Sequence, residues 1–140
     1  MPVVAMDASA LMMPVELEVR VFDELERLLG APELVTPRAV VVELDRLAGN
    51  GSREARAARV GLDLAADRCR VVELNGTDAP ADTDADAPSA TGDDALVALA
   101  EAGAVDYVVT NDRALRDRLL AVGVPVIGAR GRNALAITGP

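Results

Sequence analysis

The sequence predicts an α/β domain, in which a central parallel sheet is covered by helices on both faces. Short apolar runs alternate with stretches of helical periodicity along the whole chain. The chain has 140 residues, 51% of them hydrophobic, which is enough for one domain with a real core. We therefore expect residues 1–140 to form a single domain of three layers, with about five strands in the middle layer.

The first half of the chain begins with an apolar run at residues 2–6, which predicts a buried strand. Residues 15–29 predict a helix that ends at Gly30, because apolar residues recur at helical spacing. These residues are Leu17, Val21, Leu25 and Leu28. Residues 34–36 predict a short strand, and Pro37 opens a second helix. The apolar face of that helix carries Val40, Leu44 and Leu47.

The middle of the chain contains a polar break, "GNGS", and then a helical stretch that runs to about residue 67. "RVVEL" at residues 70–74 predicts a third strand. Residues 75–92 are rich in aspartate and turn-forming residues and poor in large apolar ones, which predicts a mobile acidic loop inside the domain. We expect its acids to be solvated.

The last part of the chain alternates between helix and strand again. Helices are predicted at about 93–102 and 113–121, and strands at 105–110 and 125–128. Asp7 and Asp112 each follow a predicted strand, and open parallel sheets bind ligands beyond the carboxyl ends of their strands. The strand order 3-2-1-4-5 would make the first and fourth strands neighbours, so that both carboxylates face one cleft.

Composition restricts the chemistry that the chain can perform. It has no histidine, and all 14 basic residues are arginine, while Cys69 is its single cysteine. These absences exclude an internal disulfide and disfavour histidine-based triads and zinc sites. The net charge of −9 without lysine is typical of a halophilic protein. No apolar stretch is long enough to span a membrane and no secretory leader is evident, so we expect a cytoplasmic protein.

Four acidic residues stand out, although each one has a structural explanation. Asp7 could form the turn after its strand, and Glu43 could pair with Arg46 or Arg38. Asp94 fits a capping box with Thr91, and Asp112 could cap the helix that follows it. Taken together, four converging carboxylates would repel one another unless a cation joined them. Oxygen ligands favour Mg²⁺ or Mn²⁺ over zinc.

The chain resembles the PIN-domain nucleases. The resemblance runs nearly end to end, through "MDASAL", "VELDRL", "DDALVALA", "VVTNDRALRDRL" and "VPVIG". "TND" together with the D-x-S at the first strand is fairly specific, whereas "VELDRL" alone is weak. Archaeal relatives of the PIN proteins that process ribosomal RNA are the most similar in pattern, and VapC-type toxins are more distant. The resemblance implies a PIN-like fold and an endoribonuclease that depends on Mg²⁺ or Mn²⁺.

Position by position, the resemblance implies a catalytic, metal-binding set of acids. This set is Asp7, Glu43, Asp94 and Asp112, with Asp93 as a substitute or helper. Ser9, Thr110 and Asn111 fall where family members place small polar residues beside the metal. The implied reaction is hydrolysis of an RNA phosphodiester by water, which leaves 5′-phosphate and 3′-hydroxyl ends.

If RNA binds, arginine side chains must contact its phosphates. The candidates are Arg113, Arg116, Arg118, Arg130 and Arg132. Arg116 and Arg118 could instead balance Asp117 and neighbouring acids. Two alternatives to a processing enzyme remain: a toxin restrained by an antitoxin, and a non-catalytic scaffold that binds RNA or a ribosome-assembly partner. The resemblance and the apolar residues of the first helices also suggest a homodimer.

Overall fold

The computed structural model describes residues 1–49, 51–79 and 90–140. Its centre is a six-stranded sheet in the order β3-β2-β1-β4-β5-β6. The strands are β1 Val3–Met6, β2 Glu33–Pro37, β3 Arg70–Val72, β4 Tyr107–Val109, β5 Val126–Ala129 and β6 Leu135–Thr138. The first five strands are parallel, which confirms the predicted order, and β6 pairs antiparallel with β5 at the edge.

Helices connect the parallel strands and flank the sheet. They are α1 Ala8–Glu16, α2 Val21–Leu29, α3 Arg38–Ala48, α4 Arg53–Arg68, α5 Gly92–Glu101 and α6 Arg113–Ala121. Helices α1, α3 and α4 pack against one another, and α5 contacts both α3 and α6. Within the described part of the chain, no helix is long and apolar enough to cross a membrane.

The single helix predicted for residues 15–29 is wrong, because this region contains the end of α1 and the whole of α2. The chain turns between them, where Glu18 has a φ of 55° and Leu17 is 49% exposed. Leu17 lies four residues before Val21, which is a helical spacing, but it caps the end of α1 and is not part of α2. Most of α1 is buried, so it lacks the polar face that would have marked it as an amphipathic helix.

The edges of the sheet also differ from expectation. Strand β6 was not predicted, since its four residues are few and do not alternate between buried and exposed positions. Part of the predicted loop at 75–92 is ordered: Asp78 forms an antiparallel bridge with Val72, and α5 already begins at Gly92. The prediction of a mobile loop otherwise concerns residues 80–89, which lie outside the described residues, as does residue 50.

The pairing of β1 with β4 positions the candidate site. Met6 lies opposite Val109, and the backbone N–H of Asp7 donates to the carbonyl of Val109 over 3.2 Å. The two strands occupy the middle of the sheet and are buried, with Val4, Ala5, Met6, Val108 and Val109 all at 0% exposure. The first residues after β1 and β4 therefore meet at one end of a rigid core.

Candidate functional site at the strand ends

Asp7 lies at the centre of the site and is only 5% exposed. It is the N-cap of α1, and its Oδ1 accepts hydrogen bonds from the N–H of Ala10 at 2.7 Å and the hydroxyl of Ser9 at 2.8 Å. Its Oδ2 accepts a short hydrogen bond from the hydroxyl of Thr110. The predicted turn role of Asp7 is therefore real, and the same contacts fix the position of its carboxylate.

The residues of the "TND" sequence tie the ends of three strands together. The hydroxyl of Thr110 accepts from the N–H of Asp112 at 3.0 Å, and the hydroxyl of Ser9 accepts from the N–H of Asn111 at 3.2 Å. The side-chain oxygen of Asn111 accepts from the N–H of Ala129 at 2.9 Å, at the end of β5. The small polar residues singled out in the sequence thus hold the buried carboxylate in place.

Burial raises the pKa of Asp7 to about 6. Its hydrogen bonds, the strongest of them from Thr110, favour the ionised form but only partly offset this effect. The nearby carboxylate of Asp93 also contributes to the raised pKa. A carboxyl group in such surroundings gains strongly from any cation that approaches it.

Glu43 and Asp93 complete the acidic surroundings from α3 and α5. Burial, followed by the charge of Asp93, raises the pKa of Glu43, although Arg46 lowers it slightly. Burial, followed by the charge of Asp112, raises the pKa of Asp93. The two side chains also line a common cavity of about 350 Å³ with Arg46. Asp93 therefore interacts electrostatically with each of the other three acids.

Asp94 differs from its neighbour. Its Oδ1 accepts a hydrogen bond from Arg118 at 2.8 Å, and its side chain is 56% exposed. This arginine lowers the pKa of Asp94. The predicted helix cap is confirmed, because the hydroxyl of Thr91 accepts from the N–H of Asp94 at 3.1 Å. The structure thus brings Asp93, rather than Asp94, towards the other acids.

Gly92 is a residue of the site that the sequence did not single out. A Cβ at this position would lie 2.6 Å from Oε2 of Glu43 and 3.3 Å from a methyl group of Val40. The missing side chain lets the Glu43 carboxylate lie against the start of α5. The glycine in "TGDD" was the available signal, because it stands between a helix cap and two acids.

The chemistry of these donors fits a hard cation such as Mg²⁺ or Mn²⁺, since all are carboxylates and burial disfavours the ionised form of three of them, Asp7, Glu43 and Asp93. None of the ion pairs among the described residues involves Asp7, Glu43, Asp93 or Asp112. In the same part of the chain, however, no three acidic, histidine or cysteine side chains are grouped closely enough to hold a metal ion as they lie. The carboxylates would have to move towards a cation to bind it.

The candidate arginines do not all share one environment. Arg113, Arg116 and Arg130 line a second cavity of about 270 Å³, together with Asn111 and Asp112. Arg132 is exposed in the turn between β5 and β6. Arg118 instead forms the ion pair with Asp94 described above.

The fold and site define a class of α/β domain whose acidic residues meet at the carboxyl ends of the two central strands. The family model of the PIN-like domain matches residues 4–132, and the chain belongs to that family. A solved structure described as that of the PIN domain endonuclease Utp24 is similar, with a TM-score of 0.72. Its sequence identity is 18%, and the match covers 99% of this chain and 92% of that one. No curated protein matches the sequence.

Proposed function

We propose that this protein is an endoribonuclease that hydrolyses RNA phosphodiester bonds with the help of Mg²⁺ or Mn²⁺. The observation that supports the proposal most directly is a set of four carboxylates in which Asp93 interacts electrostatically with each of the other three. None of the four has an ion-pair partner among the described residues. The set is Asp7, Glu43, Asp93 and Asp112. Asp93 replaces Asp94 in it, because Asp94 is neutralised by Arg118.

When bound, a divalent cation would supply Lewis-acid chemistry, since it lowers the pKa of water and offsets the charge of a phosphate. The protein's own residues supply negative charge and position. Ser9 and Thr110 orient the Asp7 carboxylate from either side by donating hydrogen bonds to it. Asp112 uses one oxygen, Oδ1, to cap α6 by accepting from the N–H of Leu115 at 3.0 Å.

The reaction proposed here is hydrolysis, in which water attacks phosphorus and the bond from phosphorus to the 3′ oxygen breaks. The proton goes to that oxygen, and the products carry 5′-phosphate and 3′-hydroxyl ends. The mechanism requires no histidine, which agrees with the composition of the chain. The name of the structural neighbour, a PIN domain endonuclease, supports this type of reaction.

The biological role that we propose is the processing of ribosomal RNA, in agreement with the resemblance of the sequence motifs. In this role the protein would act as a homodimer and bind a ribosome-assembly partner. If the protein were instead a toxin, its partner would be an antitoxin. The cytoplasm and a salt-rich cell interior are the setting that the acidic composition favours. Light scattering of the purified protein measures the oligomeric state.

The proposal is tested by replacing Asp112 with Asn. Asparagine keeps the size and capping ability of the side chain, so α6 should remain intact and the melting temperature should change little. The loss of one negative charge should weaken Mn²⁺ binding in calorimetry and slow RNA cleavage by orders of magnitude. RNA binding should remain, because the phosphate contacts come from arginines.

The matched control is Asp63→Asn, which removes an exposed carboxylate from α4. This variant should bind Mn²⁺ and cleave RNA as the wild type does. Cleavage by Asp112→Asn at the wild-type rate would show that the assigned site is wrong. Wild-type protein that binds RNA but does not cut it, across several RNAs and both metals, would support the scaffold instead.

A further inference from the structure

The second cavity, which we call the arginine cavity, lies beside the acidic residues rather than among them. Its wall is formed by the start of α6 and by β5 and β6. Asp112 belongs to this wall, whereas Asp7, Glu43 and Asp93 do not. A group bound in the cavity would therefore lie next to the proposed reaction centre without occupying it.

Carboxylates balance little of the positive charge in this cavity. Among the described residues, the arginines outside it that form ion pairs with aspartate or glutamate are Arg27, Arg38, Arg70 and Arg118. Among the described residues, no hydrogen bond or ion pair is made by the side chain of Arg113 or Arg130. Arg116 contacts only the adjacent Asp117, at 3.5 Å. In a chain of net charge −9, the cavity thus gathers three arginines, two of which have no charged partner among the described residues.

A neutral donor adds to the positive charge. The side-chain oxygen of Asn111 is occupied by the N–H of Ala129, which fixes the orientation of the amide. The amide nitrogen of Asn111 is left with two hydrogens to donate at the cavity wall. Three guanidinium groups outnumber the one carboxylate of the wall, Asp112. Guanidinium forks and an amide N–H₂ match the oxygens of a phosphate group.

We propose that the arginine cavity is a subsite for a single RNA backbone phosphate, the one next to the phosphate that is cleaved. This inference rests on the proposed function, because it takes the acidic residues as the place of cleavage. Binding of the neighbouring phosphate by Arg113, Arg116 and Arg130 would fix the register of the strand. The bond to be cut would then be selected by the backbone, without contacts to the bases.

The test measures binding separately from cleavage. A short single-stranded oligoribonucleotide is titrated in EDTA against wild type and the double variant Arg113→Gln/Arg130→Gln. The matched control, Arg53→Gln/Arg56→Gln, removes from α4 two charges that are also exposed. The cavity variant should bind about tenfold more weakly, whereas the control should keep the wild-type affinity. The slope of log affinity against log salt should fall by about 0.7, the value for one phosphate of a single strand.

A second arm replaces single phosphates of the oligoribonucleotide with neutral methylphosphonates. At one position, the methylphosphonate should weaken binding of the oligoribonucleotide to wild type and should not change its binding to the cavity variant. Equal loss of affinity in both double variants, or no binding of the RNA by wild type, would overturn the subsite. If the RNA binds as expected but is never cleaved in Mn²⁺, the cavity remains a binding site for a backbone phosphate and the proposed function is refuted. If wild type cleaves RNA but the cavity variant binds RNA as tightly as wild type does, the subsite is overturned and the proposed function remains.

Discussion

Asp7 is a buried carboxyl group whose ionisation should cost the folded protein stability. Its pKa is about 6 in the folded chain, against 3.8 for an unperturbed aspartate. Below pH 3.8 the group is protonated in both the folded and unfolded states. As the pH rises from about 4 to 6, Asp7 ionises readily only in the unfolded state, so the contribution of this group to the free energy of unfolding should fall by roughly 3 kcal/mol.

The first prediction is that Asp7→Asn stabilises the protein near pH 7 in EDTA. The amide oxygen can accept from Ser9 and Ala10, while the amide nitrogen donates to Thr110, so the contacts are kept without the charge. Urea unfolding at pH 4 and pH 7 measures the effect, with Asp63→Asn as the control. An equal difference between Asp7→Asn and wild type at both pH values would contradict it.

Asp93 and Asp94 provide a matched pair for the second prediction. Asp93→Asn should weaken Mn²⁺ binding and RNA cleavage, because this side chain interacts with the other acids. Asp94→Asn should change both only slightly, because it removes an exposed partner of Arg118. Calorimetry with Mn²⁺ compares the two variants directly. A larger loss in Asp94→Asn than in Asp93→Asn would restore Asp94 as the ligand.

The sequence could place the acids at the right ends of strands but could not choose between these neighbours. Successive helical residues point about 100° apart. Which of them faces the site depends on how α5 packs on α3 and α6, and that rotation is a tertiary property. The positions of Asp7 and Asp112 were easier to predict, because Asp7 directly follows the buried strand β1 and Asp112 follows β4 after only Thr110 and Asn111.

At the scale of elements, the close approach of α3 and α5 at Gly92 leads to the third prediction. Gly92→Ala should displace the Glu43 carboxylate, since the new Cβ would lie 2.6 Å from its Oε2. That oxygen is at the end of a flexible side chain, so the melting temperature should change little while Mn²⁺ affinity falls. Calorimetry of Gly92→Ala measures this fall.

The control repeats the substitution in a Glu43→Ala background, where no carboxylate is left to displace. Gly92→Ala should then have no further effect on Mn²⁺ affinity. An equal loss in both backgrounds would show that Gly92 acts on something other than Glu43.

Whether a helix or strand could be predicted from the sequence depended on how its residues are buried. Strands β1 to β5 were found because each is a compact apolar run between polar breaks. Helix α1 was missed because burial on most sides removes the helical alternation of apolar and polar residues. Strand β6 depends on the N–H and carbonyl of Leu135, which bond to Glu24 and Arg27 of α2. Such contacts, distant in sequence, have no local signature.

At the scale of the whole molecule, the net charge of −9 leads to the fourth prediction. The compact fold holds excess negative charges close together, so screening by salt should stabilise it. The melting temperature should rise steadily from low to molar KCl. Thermal unfolding followed by circular dichroism provides the measurement. A constant or falling melting temperature would contradict the interpretation of the acidic composition as an adaptation to salt.

The measurement that tests the central claim most directly is the analysis of RNA ends after incubation with purified wild-type protein. Structured RNA is incubated in high KCl with Mn²⁺ or with EDTA, and the ends are mapped. We predict internal cuts that appear only with Mn²⁺ and leave 5′-phosphate and 3′-hydroxyl ends. Cuts that persist in EDTA and leave 2′,3′-cyclic phosphates, or the absence of cuts in RNA that is bound, would contradict the assignment of a metal-dependent ribonuclease.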